Sequence, residues 1–183
     1  MTMFLKSTLL ALAFFAFAST AQADSIHTIT GDTTGAAIFT RPVEDLSGLS
    51  AIGKDVSFNQ FRFTVSAAGE YSFLTTAAFD SLVFLYSPSF DPSSSLTNAL
   101  IGNDDLLGTT TSGFVTNLAA DTPYVLVITG YEGFEYGKYS TTIGGPGAVT
   151  VIAVPEPEIY ALMAFGLGVV GLARRRAKSL KSA

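Results

Sequence analysis

Phe61-Arg62-Phe63-Thr64-Val65-Ser66-Ala67-Ala68-Gly69-Glu70-Tyr71-Ser72-Phe73-Leu74 decides the fold. Phe61, Phe63 and Val65 alternate with Arg62 and Thr64, the period of two that puts apolar side chains on one face of a β-strand. Ala67-Ala68-Gly69 turns the chain, and Tyr71 and Phe73 then alternate with Ser72 and Leu74, so the pair is expected to form a hairpin.

Ser81 to Tyr86 and Tyr124 to Thr129 lie further along as unbroken apolar runs of strand length, suited to strands covered on both faces. Tyr139, Thr141 and Ile143 alternate in a closing strand ahead of Gly144-Gly145, and shorter candidates lie at Ile26 to Thr30, Ala37 to Thr40, Leu100 to Gly102 and Gly113 to Leu118. No stretch between the ends holds a 3.6-residue apolar period for the length of a helix. The expectation is an all-β, antiparallel, jelly-roll-like sandwich of about eight strands, flanked by an N-terminal signal peptide and a single C-terminal hydrophobic helix.

The two ends differ from the middle in kind. Residues 1–23 carry one charge, Lys6, then an apolar stretch from Leu9 to Ala18, then Ala21-Gln22-Ala23. This is the layout of a secretory signal with an A-x-A cleavage site at Ala21 and Ala23, so signal peptidase should leave Asp24 as the new N-terminus. At the other end Val154-Pro155-Glu156-Pro157-Glu158 precedes an apolar run over 159–173 and then Arg174-Arg175-Arg176. Fifteen residues at about 1.5 Å each reach about 22 Å, short of the ~30 Å hydrocarbon core. The arginines place the C-terminus in the cytoplasm and the preceding domain outside. Between these ends, residues 24–153 suffice for one domain and too few for two.

Charge follows the same division. Residues 24–153 hold thirteen of the fifteen acidic residues against Arg41, Lys54, Arg62 and Lys138. So acidic a domain is repelled by phosphate backbones, which excludes nucleic acid as a natural partner. Cysteine is absent, which removes disulfides and thiol chemistry, and His27 is the only histidine, which leaves zinc without ligands.

The ordered set of Val154, Pro155, Glu156 and Pro157, a short glycine-containing apolar helix and Arg174 to Arg176 resembles the PEP-CTERM sorting domain of Gram-negative bacteria. The resemblance implies recognition at the inner membrane by an exosortase-type membrane protease, transient anchoring, and delivery to the cell surface or the extracellular polysaccharide. Gly166, Gly168 and Gly171 spell G-x-G-x-x-G inside this helix, but no strand precedes them and no acidic residue follows at about 20 positions, so they read as a smooth packing face and not as a nucleotide site.

The strand series over residues 57–145 resembles the bacterial pre-peptidase C-terminal domain: Phe61 to Val65, Gly69-Glu70-Tyr71, Asp80 before Leu82 to Tyr86, Asn103-Asp104-Asp105, Asp121-Thr122-Pro123-Tyr124, and Gly137 to Ile143. That family implies a jelly-roll accessory module for secretion or polymer binding, sometimes with calcium, and it sets Asp80 at the same end of the sandwich as Asn103. Asn103, Asp104 and Asp105 are the densest group of oxygen ligands and suit calcium, which takes six to eight oxygens. The same residues are good turn chemistry, and a solvated turn accounts for them without an ion.

Tyr131-Glu132-Gly133-Phe134-Glu135-Tyr136 is an aromatic, acidic loop. Tyr131, Glu132, Phe134 and Tyr136 are expected either to contact glycan or to pack over the core edge. A serine nucleophile lacks a base, His27 being the lone candidate. The expected function is therefore a non-catalytic, exosortase-processed surface or matrix protein contributing adhesion, structure or polysaccharide binding in a biofilm. The alternative is a small secreted glycan hydrolase in which Asp104 pairs with Glu132 or Glu135, the discriminating feature being a cleft with carboxyls ~5–10 Å apart.

Overall fold

The computed structural model describes residues 24–152 and, within the C-terminal segment, residue 165 alone, which is helical. The signal peptide, the sorting motif and the helix expected over 159–173 otherwise lie outside the described residues. No helix among the described residues is long and apolar enough to cross a membrane.

Among the described residues ten strands form: β1 (Ser25–Asp32), β2 (Ile38–Phe39), β3 (Val56–Val65), β4 (Gly69–Ala77), β5 (Ser81–Tyr86), β6 (Ala99–Asn103), β7 (Thr111–Leu118), β8 (Tyr124–Gly130), β9 (Lys138–Gly145) and β10 (Val149–Ile152). They build a four-stranded antiparallel sheet in the order β1-β9-β4-β7 and a six-stranded sheet in the order β10-β3-β8-β5-β6, with β2 paired to β3. Without β2 and β10, the remaining eight strands alternate between the sheets except at the β5–β6 hairpin, which is jelly-roll connectivity. The two extra strands share the outer edge of β3: β2 pairs at Val56 and Ser57, and β10 pairs from Arg62 to Val65. The expected count of about eight therefore describes the jelly roll itself.

One expectation fails. β3 and β4 are not a hairpin, because they belong to opposite sheets. Phe61, Phe63 and Val65 on one strand and Tyr71 and Phe73 on the other all fill the same inter-sheet core. Strands paired in one sheet would place them side by side; strands in facing sheets place them face to face, as the Phe63–Phe73 ring pair at 6.0 Å does. After Val65 the chain is taken up by β10's approach, with Ser66 N donating to Ala148 O at 3.0 Å, and Tyr71 Oη donates to Ala67 O across the corner at 2.8 Å.

β5 and β8 are buried along their whole lengths, as their unbroken apolar sequences require. Val83, Leu85, Leu126 and Ile128 face the other sheet. Leu82, Phe84, Val125 and Val127 face outward beneath a second apolar cluster built from Phe39, Phe58, Phe90 and neighbouring loop residues. The chain segments between β2 and β3 and between β5 and β6 thus act as a third layer, and they carry residues to the end of the sandwich where the acids gather.

Candidate functional site: an acidic cluster beside a buried arginine

Asp80 occupies the turn between β4 and β5, and Asp104 and Asp105 follow directly on β6. Antiparallel pairing of β5 with β6, with Val83 opposite Asn103, carries the start of one strand to the end of the other. Residues more than twenty positions apart in sequence therefore meet. Asp80, Asp104 and Asp105 each offer a carboxylate oxygen, and these atoms lie within 4.8 Å of one another.

Two of those oxygens have nowhere to go. Asp80 Oδ1 and Asp104 Oδ1 are shielded from solvent and have no hydrogen-bond partner. Burial, followed by the charges of Asp105, Asp80 and Glu44, pushes the Asp104 carboxyl up to about 6, with Arg41 opposing. Asp80 is raised for the same first reason, then by Asp105 and Glu135. A desolvated carboxylate among like charges costs free energy that a proton or a cation relieves.

Asn103 is used differently. Its Oδ1 accepts from Gly113 N at 2.9 Å, tying β6 to β7 across the open end of the sandwich. The cluster is therefore centred on the three aspartates, with Asn103 setting the strand end that presents two of them.

Arg41 is the residue that sequence reasoning missed. It follows β2, precedes Pro42, and is only 3% exposed. Its Nε and Nη2 donate to Tyr131 O at 3.0 and 2.9 Å, and Nη1 donates to Pro42 O at 3.0 Å. The guanidinium also lies 4.8 Å from the centre of the Tyr131 ring. All three bonds go to carbonyls, so its charge is left for the nearby carboxylates; burial lowers its pKa while Asp104, Tyr131 and Asp80 hold it up. The local signal was weak, one of four basic residues in an acidic domain. Only the packing of Gly53 against the Arg41 side chain, where a Cβ would collide, marks the position as built for it.

The aromatic loop adjoins the same cluster. Glu135 Oε2 accepts from Asp80 N at 3.2 Å, and Tyr131 N donates to Asp80 O at 3.0 Å. Gly130 allows the loop to fold back, because a Cβ there would strike Glu135 O. Tyr131 is turned toward Arg41 and the second apolar cluster, and Glu132 is half-buried. Phe134 and Tyr136 are presented to solvent, at 70% and 48% exposure. A cavity of about 400 Å³ beside the buried arginine is lined by Arg41, Val43, Glu44, Ile52, Asp104 and Tyr131.

The PEP-CTERM protein-sorting motif matches residues 153–177, so the chain carries the signal of an exported, transiently membrane-anchored, cell-surface protein that exosortase processes. No curated protein matches the chain in sequence. Among solved structures it is similar to the pre-peptidase C-terminal domain of a collagenase from Bacillus anthracis, at 15% identity over 64% of this chain and 87% of that one, with a TM-score of 0.40. It is also similar to Aeromonas hydrophila PliG, a periplasmic inhibitor of g-type lysozyme, at 10% identity, 72% and 90% coverage and a TM-score of 0.39. A third is the K1 cleaved adhesin domain of Lys-gingipain from Porphyromonas gingivalis, at 14% identity, 73% and 99% coverage and a TM-score of 0.36.

Proposed function

We propose that this chain, addressed to the cell surface by its sorting motif, is a non-catalytic adhesive or structural component of extracellular polysaccharide, its sandwich braced at one end by calcium. The observation that carries the reading is the pair of shielded, unpartnered carboxylate oxygens on Asp80 and Asp104 beside the exposed carboxylate of Asp105. Three carboxylates from two chain segments match the oxygen-rich, loop-borne ligand sets that calcium takes. Arg41 offsets part of their charge from behind, so a divalent cation in front would complete the neutralisation.

Bound calcium would hold Asp80, and through its backbone the loop that presents Phe134 and Tyr136. Flat aromatic faces at the rim of an acidic, cation-bearing end suit the apolar faces of sugar rings. Polymer binding would then depend on calcium without calcium touching the polymer.

The raised Asp104 carboxyl also has the character of a general acid, which favours glycan hydrolysis as a second reading. The Asp80, Asp104 and Asp105 oxygens, within 4.8 Å of one another, are spaced for a shared cation, so the hydrolase reading would rest instead on Asp104 with Glu132 or Glu135 at the ~5–10 Å that a glycosidase pair needs. One experiment separates the two. Mature protein is sedimented with purified exopolysaccharide of the native host in calcium and in EDTA, and the supernatant is assayed for new reducing ends. Calcium-dependent co-sedimentation, lost in the Phe134→Ala/Tyr136→Ala double variant and without new reducing ends, supports the binding module. Binding unaffected by both EDTA and the double substitution refutes it, and reducing ends that vanish in Asp104→Asn establish the hydrolase instead.

A further inference from the structure

β3 carries two partners on one edge, with a gap between them. β2 pairs with Val56 and Ser57 and β10 pairs with Arg62 to Val65, so among the described residues no strand covers that edge from Phe58 to Phe61. Hydrogen-bond alternation says which groups are open. Phe58 N donates to Ala37 O at 2.9 Å and Ser66 N donates to Ala148 O at 3.0 Å. Even-numbered residues of β3 therefore turn their N–H and C=O groups toward this edge, and odd-numbered ones turn theirs toward β8. Phe58 N is engaged by Ala37 and Arg62 stands opposite Ile152, which leaves Gln60 as the residue with both groups open.

β10 points into that gap. It runs antiparallel to β3, with Val149 opposite Val65 and Ile152 opposite Arg62. Continued in the same register beyond the described residues, Ala153 would fall opposite Phe61 and Val154 opposite Gln60. Val154 and Gln60 would then form a hydrogen-bonded pair, each N–H donating to the other's C=O. Pro155 would come opposite Asn59, a position whose N–H faces away from the partner strand, so its missing donor costs nothing. It also restricts Val154 to the extended region that a strand needs. One step further the edge is closed, because Phe58 N is already held by Ala37 O. The gap thus has room for two residues ahead of a proline, and the chain supplies Ala153-Val154-Pro155.

We propose that Ala153 and Val154 dock in this gap and complete β10, so that the opening residue of Val154-Pro155-Glu156-Pro157 belongs to the folded domain and Pro155 is where the sorting motif leaves it. A cleft that takes a peptide as an added strand uses the peptide's backbone N–H and C=O groups, and Val154 has given both to Gln60. Exosortase processing therefore requires the end of β10 to peel from β3, which couples release from the membrane to the opening of one strand end.

The test uses the chain from Asp24 to Ala183 in detergent micelles. By NMR, the Val154 amide should exchange about tenfold or more slowly than in an unfolded chain, as expected of a strand end held by a pair of hydrogen bonds. The register has its own readout, because the chain has no cysteine. Opposed Cα atoms of a hydrogen-bonded pair lie about 5.5 Å apart, within disulfide range. Mild oxidation should therefore close a disulfide in Gln60→Cys/Val154→Cys and leave Gln60→Cys/Pro157→Cys open. Gln60→Pro removes only an edge-directed N–H and leaves the motif untouched; in pulse-chase in the native host its membrane-bound form should be processed faster than that of wild type. A Val154 amide that exchanges at the unfolded-chain rate overturns the docking, as does equal coupling of the two cysteine pairs. A Gln60→Pro variant that melts like wild type and is processed no faster overturns the coupling of release to the strand end.

Discussion

Asp104→Asn should stabilise the calcium-free protein near neutral pH while abolishing its response to calcium. The carboxyl is pushed from an ordinary value near 3.8 up to about 6, first by burial and then by Asp105, Asp80 and Glu44. A group whose folded pKa is raised binds its proton more tightly in the folded state. The folded protein therefore loses stability as pH rises from about 4 to about 6 and carries the full penalty above that. At about 1.4 kcal/mol per pH unit the ceiling is roughly 3 kcal/mol, and a half-exposed group among screened charges realises about 1–1.5 kcal/mol of it. Asparagine keeps the shape and removes the charge, so in EDTA at pH 7.5 the variant should melt about 3–6 °C above wild type. Calcium should reverse the ranking, because it stabilises by binding the folded state, and wild type alone keeps the ligand set. Differential scanning calorimetry in EDTA and in millimolar calcium, from pH 4 to 8, reads both effects. A variant that melts below wild type in EDTA at pH 7.5, or that shifts with calcium as much as wild type, refutes the reasoning.

Arg41→Met should cost about 2–4 kcal/mol in urea unfolding, because Tyr131 O and Pro42 O lose buried donors and the acids lose their counter-charge; an unchanged midpoint would show the arginine to be incidental. Tyr86→Phe leaves Ser95 O without the donor that Tyr86 Oη supplies at 2.9 Å, and should cost about 1 kcal/mol by the same measurement. Burial raises the Tyr86 pKa, so in wild type this phenol should ionise only as the fold opens at high pH, visible as a late step in an ultraviolet titration. Glu156→Ala, or deletion of Arg174 to Arg176, should leave signal-peptide removal intact and retain the protein at the inner membrane; mass spectrometry that finds residues 174–183 still attached to surface-exposed wild type would make the segment a simple anchor.

How much of this was legible along the chain depended on the range of the forces involved. Strand alternation in Phe61 to Val65 and the unbroken apolar runs at Ser81 to Tyr86 and Tyr124 to Thr129 are local, and each became a strand with the expected covering. β3 nevertheless begins at Val56, five residues early. Val56 and Phe58 belong to the outer cluster, whereas Phe61, Phe63 and Val65 belong to the inner one. The buried face changes sides along a single strand, which blurs the period of two. β10 was not anticipated, because Val149-Thr150-Val151-Ile152 acquires its meaning only from the vacant half of the β3 edge.

By itself, the sequence determined the address, the class and the acids. A sorting motif and an alternating apolar pattern are read from contiguous residues, and so is the acidic charge count, without any coordinates. Only tertiary structure decided that β3 and β4 lie in opposite sheets, since two amphipathic strands joined by a short turn satisfy their apolar faces either way until the second sheet exists. The same long-range closure set Asp80 against Asp104 and Asp105, buried Arg41 behind them, and turned Tyr131 inward while leaving Phe134 and Tyr136 outside. Those outcomes depend on desolvation, which is a property of the packed whole and is written in no single segment of the chain.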